Sequence, residues 1–186
     1  MRQSLLLSLC AVATMGLAAC SGSGDAQVDR ALQDINGVED ENFNDLFLNV
    51  GEPEEAVGYF TRALSTDPDR IDLQRGLGKA LVRAKKPTDA VTAWQAVVSH
   101  PEATNDDRVE LADAFIRTNQ WDKAKATLDS IPPTHETFKR YRLEAMIADG
   151  REQWDKADAF YETAVGLTTK PANVYNNWGY SKLTRG

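Results

Sequence analysis

The tetrad Trp-Asp-Lys-Ala occurs twice, at Trp121–Ala124 and at Trp154–Ala157, 33 residues apart. The alanines that close it belong to a longer series: Ala56, Ala90, Ala124 and Ala157 follow one another at spacings of 34, 34 and 33. Four residues after each alanine stand Phe60, Trp94, Leu128 and Tyr161, all large. Seven after each come Ala63, Val97, Ile131 and Ala164, all apolar, and three before each come Pro53, Pro87, Trp121 and Trp154. Self-similarity at such a period marks stacked supersecondary units, none of which can bury its apolar face alone.

An alanine with apolar residues at +4 and +7 lies on one face of a helix. The small residue marks where a neighbouring helix crosses closely, and the large one fills the space beside the crossing. Pro53 and Pro87 suit a first helical turn, where no amide hydrogen bond is lost. Pro68, Pro101, Pro132, Pro133 and Pro171 fall where these helices must stop. Each unit also contains an earlier helix. Thirteen residues before the alanines sit Phe43, Leu77, Leu111 and Glu144, followed by Asn44, Gly78, Ala112 and Ala145. Nine before come Phe47, Leu81, Phe115 and Ala148. The order large–small–large is a second packing stripe. Glu144 weakens it in the fourth unit, and the run Gly150–Gln153 predicts a longer turn there.

This pattern resembles the tetratricopeptide repeat, two antiparallel helices per unit. The resemblance covers residues 38–186 and implies an all-α fold. The expected architecture is an α-solenoid of about four helical hairpins (38–70, 71–103, 105–135, 137–170) with a terminal helix over 172–186. In that last stretch Tyr175, Trp178 and Gly179 occupy packing positions of a first helix. It reads either as the solvating cap of a solenoid or as the start of a further unit.

The N-terminus carries a different signal. Met1-Arg2-Gln3 is a short positive start, and the run to Ala19 is uncharged and rich in Leu and Ala. It is shorter than the roughly 20 apolar residues of a membrane span and fits the centre of a secretory signal peptide. It ends Leu17-Ala18-Ala19-Cys20, which resembles the lipobox of bacterial lipoproteins. The resemblance implies that residues 1–19 are removed and Cys20 is acylated, fixing the protein to a membrane. The other reading is an ordinary signal with Cys20 as a free thiol. Residues 20–37, beginning Ser21-Gly22-Ser23-Gly24 after the cysteine, form the expected flexible spacer. Ser21 stands where Asp tends to retain Gram-negative lipoproteins at the inner membrane. That points to the outer membrane, facing the periplasm.

Composition narrows the function. The 186 residues carry 28 acidic and 21 basic side chains, a net charge of −7, which argues against nucleic acid as a partner. Two Cys and two His leave little for a disulfide framework or a metal centre, and no cofactor motif is present. No catalytic constellation stands out. His100 precedes Pro101 at a helix end, and His135 lies in the loop after Pro132-Pro133. The pairs Glu54-Glu55 and Asp106-Asp107 suit helix N-termini. Gly76-Leu77-Gly78 reads as a packing site, since no strand precedes it. The expected class is a protein-binding scaffold and not an enzyme, unless an active site lies outside this sequence.

One polar pattern points to a partner. Arg75, Lys79 and Arg83 share a helical face at spacings of four. In the family resembled, first helices line the concave surface. Val109 and Asp113 of the third unit and Arg142 of the fourth are expected to face the same groove. Such a face suits an acidic or C-terminal carboxylate group, while the plainer reading is a solvated basic face. Finally, Val174-Tyr175-Asn176-Asn177-Trp178-Gly179-Tyr180-Ser181 resembles the Asn-Asn-Leu-Gly-x-Ser segment of TadD-type lipoproteins, departing from it at Trp178. That family serves the tight-adherence (Flp) pilus. The implied partners are components of a pilus or secretin complex. Other envelope-assembly scaffolds, for outer-membrane proteins or peptidoglycan enzymes, share the repeat.

Overall fold

The computed structural model describes Asn44 and residues 48–186. The expected signal segment 1–19, Cys20, the expected spacer 20–37, and Phe43 and Phe47 lie outside the described residues. Helical residues at 44 and 48–50 precede eight helices, which we number α1 (Pro53–Thr66), α2 (Ile71–Arg83), α3 (Pro87–Ser99), α4 (Asn105–Arg117), α5 (Trp121–Asp129), α6 (Phe138–Gly150), α7 (Trp154–Gly166) and α8 (Ala172–Thr184). Among the described residues there is no strand. The fold is an all-α solenoid. Even-numbered helices are the first of each unit, and α1, α3, α5 and α7 are the second.

The apolar register builds the core. Ala56, Ala90, Ala124 and Ala157 are fully buried, as are Phe60, Trp94, Leu128 and Tyr161 four residues on. Val97, Ile131 and Ala164 close the same stripe, while Ala63 is half-buried. Pro53 and Pro87 open α1 and α3 in the first turn. Gly76 and Gly78 of α2 lie against large rings of its two neighbouring helices. A Cβ on Gly76 would lie 2.2 Å from Phe60 Cε1, and one on Gly78 2.6 Å from Trp94 Cε2. Glycine is required there because the rings of α1 and α3 occupy the volume of a methyl group.

The turn inside the second, third and fourth hairpins repeats as strictly as the helices. Lys85, Asn119 and Glu152 are left-handed, at φ 57°, 58° and 58°. Each lets the next amide reach back to close the preceding helix: Lys86 N–H to Leu81 O, Gln120 N–H to Phe115 O, and Gln153 N–H to Ala148 O, at 2.8–2.9 Å. This corrects the longer turn expected in the fourth unit, since α6 and α7 are joined by the same three-residue connection as the other pairs. The fourth unit instead departs in its core. Glu144 is buried at the register of Leu77 and Leu111, and the neighbouring Leu143, Ala145, Ile147 and Ala148 supply the apolar surface of α6. Among the described residues no helix is long and apolar enough to cross a membrane.

Candidate functional site

α4 starts with a capping box that orients its acidic turn. Thr104 Oγ1 accepts from Asp107 N–H at 3.3 Å, and the Asp107 carboxylate accepts from Thr104 N–H at 2.7 Å. The same carboxylate takes Arg75 of α2 in two-point geometry, Nε to Oδ1 and Nη2 to Oδ2, each at 2.8 Å. Arg75 also donates to Glu102 O at 3.2 Å. Asp107 is buried, and burial by itself raises its pKa. The hydrogen bonds from Arg75 and Thr104 outweigh that and hold the carboxyl below its ordinary value. The guanidinium of Arg75 therefore ties two repeats together and is already engaged there.

The remaining predicted residues divide between groove and core. Lys79 and Arg83 of α2, Asp113 of α4 and Arg142 of α6 line one cavity of about 450 Å³ across the first helices. Val109 does not. It is 2% exposed and packs among Leu111, Phe115 and Leu143, because its helical register faces the neighbouring repeat. Arg75 is likewise not among the lining residues.

The cavity adds charges that the four-residue spacing in α2 did not reveal. Glu110, Arg117 and Lys139 join it, so five cations face two carboxylates in a chain whose net charge is −7. Several of these charges are already engaged. Lys139 Nζ bonds Glu110 Oε2 at 2.5 Å and reaches Asp113 Oδ2 at 3.2 Å, and Arg117 Nε lies 3.3 Å from Asp113 Oδ1. Burial pushes the Asp113 carboxyl up, but the charges of Lys139 and Arg117, with Arg142 behind them, hold it below its ordinary value. Arg83 donates to the carbonyls of Leu48 and Gly51, closing the groove at its first-unit edge.

Two cations remain. Lys79 is exposed and makes no hydrogen bond or ion pair among the described residues. Arg142 is half-buried, and its Nε is fully buried without a hydrogen-bond partner among them. A buried donor without an acceptor is costly, and the same guanidinium carries further N–H groups that an incoming anion can engage. The two histidines serve local structure. His100 Nδ1 accepts from Glu102 N–H at 3.1 Å, and His135 Nε2 sits 2.9 Å from Asp106 Oδ1. Among the described residues no group of three His, Cys, Asp or Glu side chains is placed to hold a metal ion.

Comparison with known proteins agrees with this architecture. The tetratricopeptide repeat family model matches residues 45–72. Tetratricopeptide repeat protein 21B of Mus musculus is 32% identical over 109 residues, 59% of this chain and 8% of that protein. The chain thus spans less than a tenth of the curated relative's length. Among solved structures, MamA from residue 41 onward, of Desulfovibrio magneticus RS-1, superposes with a TM-score of 0.62 at 20% identity, covering 77% of this chain and 82% of that one. YrrB, described as a tetratricopeptide-repeat protein with an unusual peptide-binding site, superposes with a TM-score of 0.59 at 16% identity, covering 84% and 82%. The fold shared with these structures is that of a tetratricopeptide-repeat solenoid.

Proposed function

We propose that the groove across α2, α4, α6 and α8 binds an acidic segment or C-terminal carboxylate of a protein partner. The observation that carries this reading is the pair Lys79 and Arg142, two cations with no ion pair among the described residues, in a groove whose carboxylates are already taken by Lys139 and Arg117. An anion placed between them makes charge-assisted bonds that the free protein lacks. The peptide-binding description of YrrB, a neighbour in fold, supports peptide binding by this architecture. Titration of an acidic peptide into the protein tests the reading. Binding should weaken with salt and fall by about tenfold in Arg142→Gln or Lys79→Glu. Affinity unchanged in both variants would overturn it.

The sequence supports a more specific role. With the lipobox around Cys20 and the TadD-like segment 174–181, the scaffold is held at the outer membrane, faces the periplasm and assists assembly of a Flp-type pilus or secretin complex. Acyl labelling of cells expressing the full chain checks the anchor: the label should vanish in Cys20→Ser, and its persistence would refute acylation at that residue. Capture of the anchored protein should then retrieve a secretin or pilus component. Consistent retrieval of outer-membrane assembly factors or peptidoglycan enzymes would replace that assignment.

A further inference from the structure

A second cavity, of about 460 Å³, continues the groove toward its far end. Arg142 lines the first cavity and Met146, one turn later on α6, lines the second. Asn173 and Asn176 make the same step on α8. The chemistry changes abruptly across that turn. The walls of the second cavity are Trp121, Met146, Trp154 and Tyr180, the two tryptophans being those of the repeated tetrad. Tyr180 is 70% exposed although it belongs to a first-helix face that elsewhere carries Lys79 and Asp113.

The charged group in this cavity is already bound. Asp149 accepts from Tyr161 Oη at 2.8 Å and from Ser181 Oγ at 2.6 Å. Asn177 Nδ2 donates to Met146 Sδ at 2.9 Å, and the Arg185 guanidinium lies 5.6 Å from the centre of the Trp154 ring while pairing with Asp158. Asn176 is exposed and makes no side-chain hydrogen bond among the described residues. An aromatic-walled recess with an unspent carboxamide suits a bulky apolar side chain, with the amide free for the adjoining backbone.

Resting on the reading of the groove as a protein-binding surface, we infer that this second cavity takes an aromatic or large aliphatic side chain from the same partner segment whose acidic group meets Arg142. Side chains one helical turn apart are about 6 Å from each other. An extended chain advances about 3.3 Å per residue, so the apolar side chain stands about two positions from the acidic one. The partner is thus an extended segment with an acidic group and a bulky apolar residue in close sequence, not merely an acidic one.

Two short synthetic peptides test this, one with an Asp-Glu pair followed about two residues later by Phe, the other with Ala in place of Phe. The wild-type protein should bind the Phe peptide about tenfold or more tightly than the Ala peptide. Tyr180→Ala, an exposed position whose fold is checked by circular dichroism, should erase most of that difference and leave Ala-peptide affinity within about twofold. Arg142→Gln should weaken both peptides in parallel. Equal affinity for the two peptides, or equal losses for both in Tyr180→Ala, would overturn the inference while leaving the basic groove standing. Failure of both peptides to bind, or indifference of both to Arg142→Gln, would overturn the reading of the groove itself and the inference with it.

Discussion

Arg75 and Asp107 are joined at two points across successive repeats, and the carboxylate that receives the guanidinium also caps α4. A charge reversal at Arg75 would therefore set a carboxylate against a buried carboxylate and would not probe the groove. Arg75→Met should cost about 1–3 kcal/mol, since it leaves Asp107 without its strongest partner. The pH dependence has a definite sign. The folded-state pKa of Asp107 lies below its ordinary value, so the pair's contribution is present above the unfolded pKa and is lost as pH falls through the folded one. In urea melts the gap between wild type and Arg75→Met should narrow below about pH 4. A gap constant down to full acid unfolding would contradict the pairing.

Gly78 and Trp94 make a second test. The ring leaves no room for a methyl group on Gly78, and Trp94 is 1% exposed. Gly78→Ala should destabilise by roughly 1–3 kcal/mol through overpacking, although alanine is the better helix former. Trp94→Ala should cost about 3–5 kcal/mol by leaving a cavity. Chemical denaturation of both variants reads the outcome, and wild-type midpoints would mean the α2–α3 register is wrong.

Glu144 occupies a leucine position. It is buried and makes no hydrogen bond or ion pair among the described residues. Burial pushes its carboxyl up; Lys125, Arg140 and Lys156 pull it down and Asp129 adds to the rise. Glu144→Leu should stabilise the protein by about 1 kcal/mol at neutral pH. Because the folded-state pKa is raised, wild type regains stability as pH falls and loses it as pH rises through that pKa. The advantage of leucine should thus shrink toward about pH 4. Thermal melts across that range would expose an advantage of the opposite trend.

The left-handed turn residues give the last substitution series. Lys85 and Glu152 carry side chains in a conformation that disfavours them. Lys85→Gly and Glu152→Gly should each stabilise by up to about 1 kcal/mol, the relief of strain exceeding the added chain entropy. Asn119→Gly should gain less, since asparagine tolerates the region. Loss of stability in all three would show that these side chains have roles beyond the turn.

What could be read from the residues alone follows from how many neighbours constrain each one. Ala90 and Trp94 are held by two helices each, so their size and spacing advertise the packing. The helix-opening prolines Pro53 and Pro87 are equally legible, because only a few backbone positions suit them. Groove residues are held by solvent on one side, and sequence spacing grouped them imperfectly. It put Arg75 with Lys79 and Arg83, yet the helical face is wide enough for Arg75 to turn toward α4 instead. Val109 stands one turn before Asp113 on α4, yet its apolar side chain is buried with the central cluster while the carboxylate lines the groove. Lys139 and Glu110 leave no local pattern, because their pairing spans 29 residues and two units. The motif Thr104-x-x-Asp107 was present as a capping signature and identifies the start of α4. The left-handed backbone at Lys85 and Glu152 has no signal in the sequence, since neither residue type favours it.

The buried side chains of the described residues form a central cluster from Ile71 to Ile147 and two flanking ones over Leu48–Ala80 and Ala145–Val174, bridged only by half-buried Val57, Leu77 and Met146. A molecule so divided is expected to melt from its tips inward, with amide protons in α3 and α4 the slowest to exchange and those in α8 among the fastest. The aromatic recess is built partly on that faster-breathing end and the basic stretch mostly on the slow middle. An occupant bridging them would act as a splint, passing the rigidity of the centre to the final helix, and slowed deuterium uptake in α8 would report its arrival.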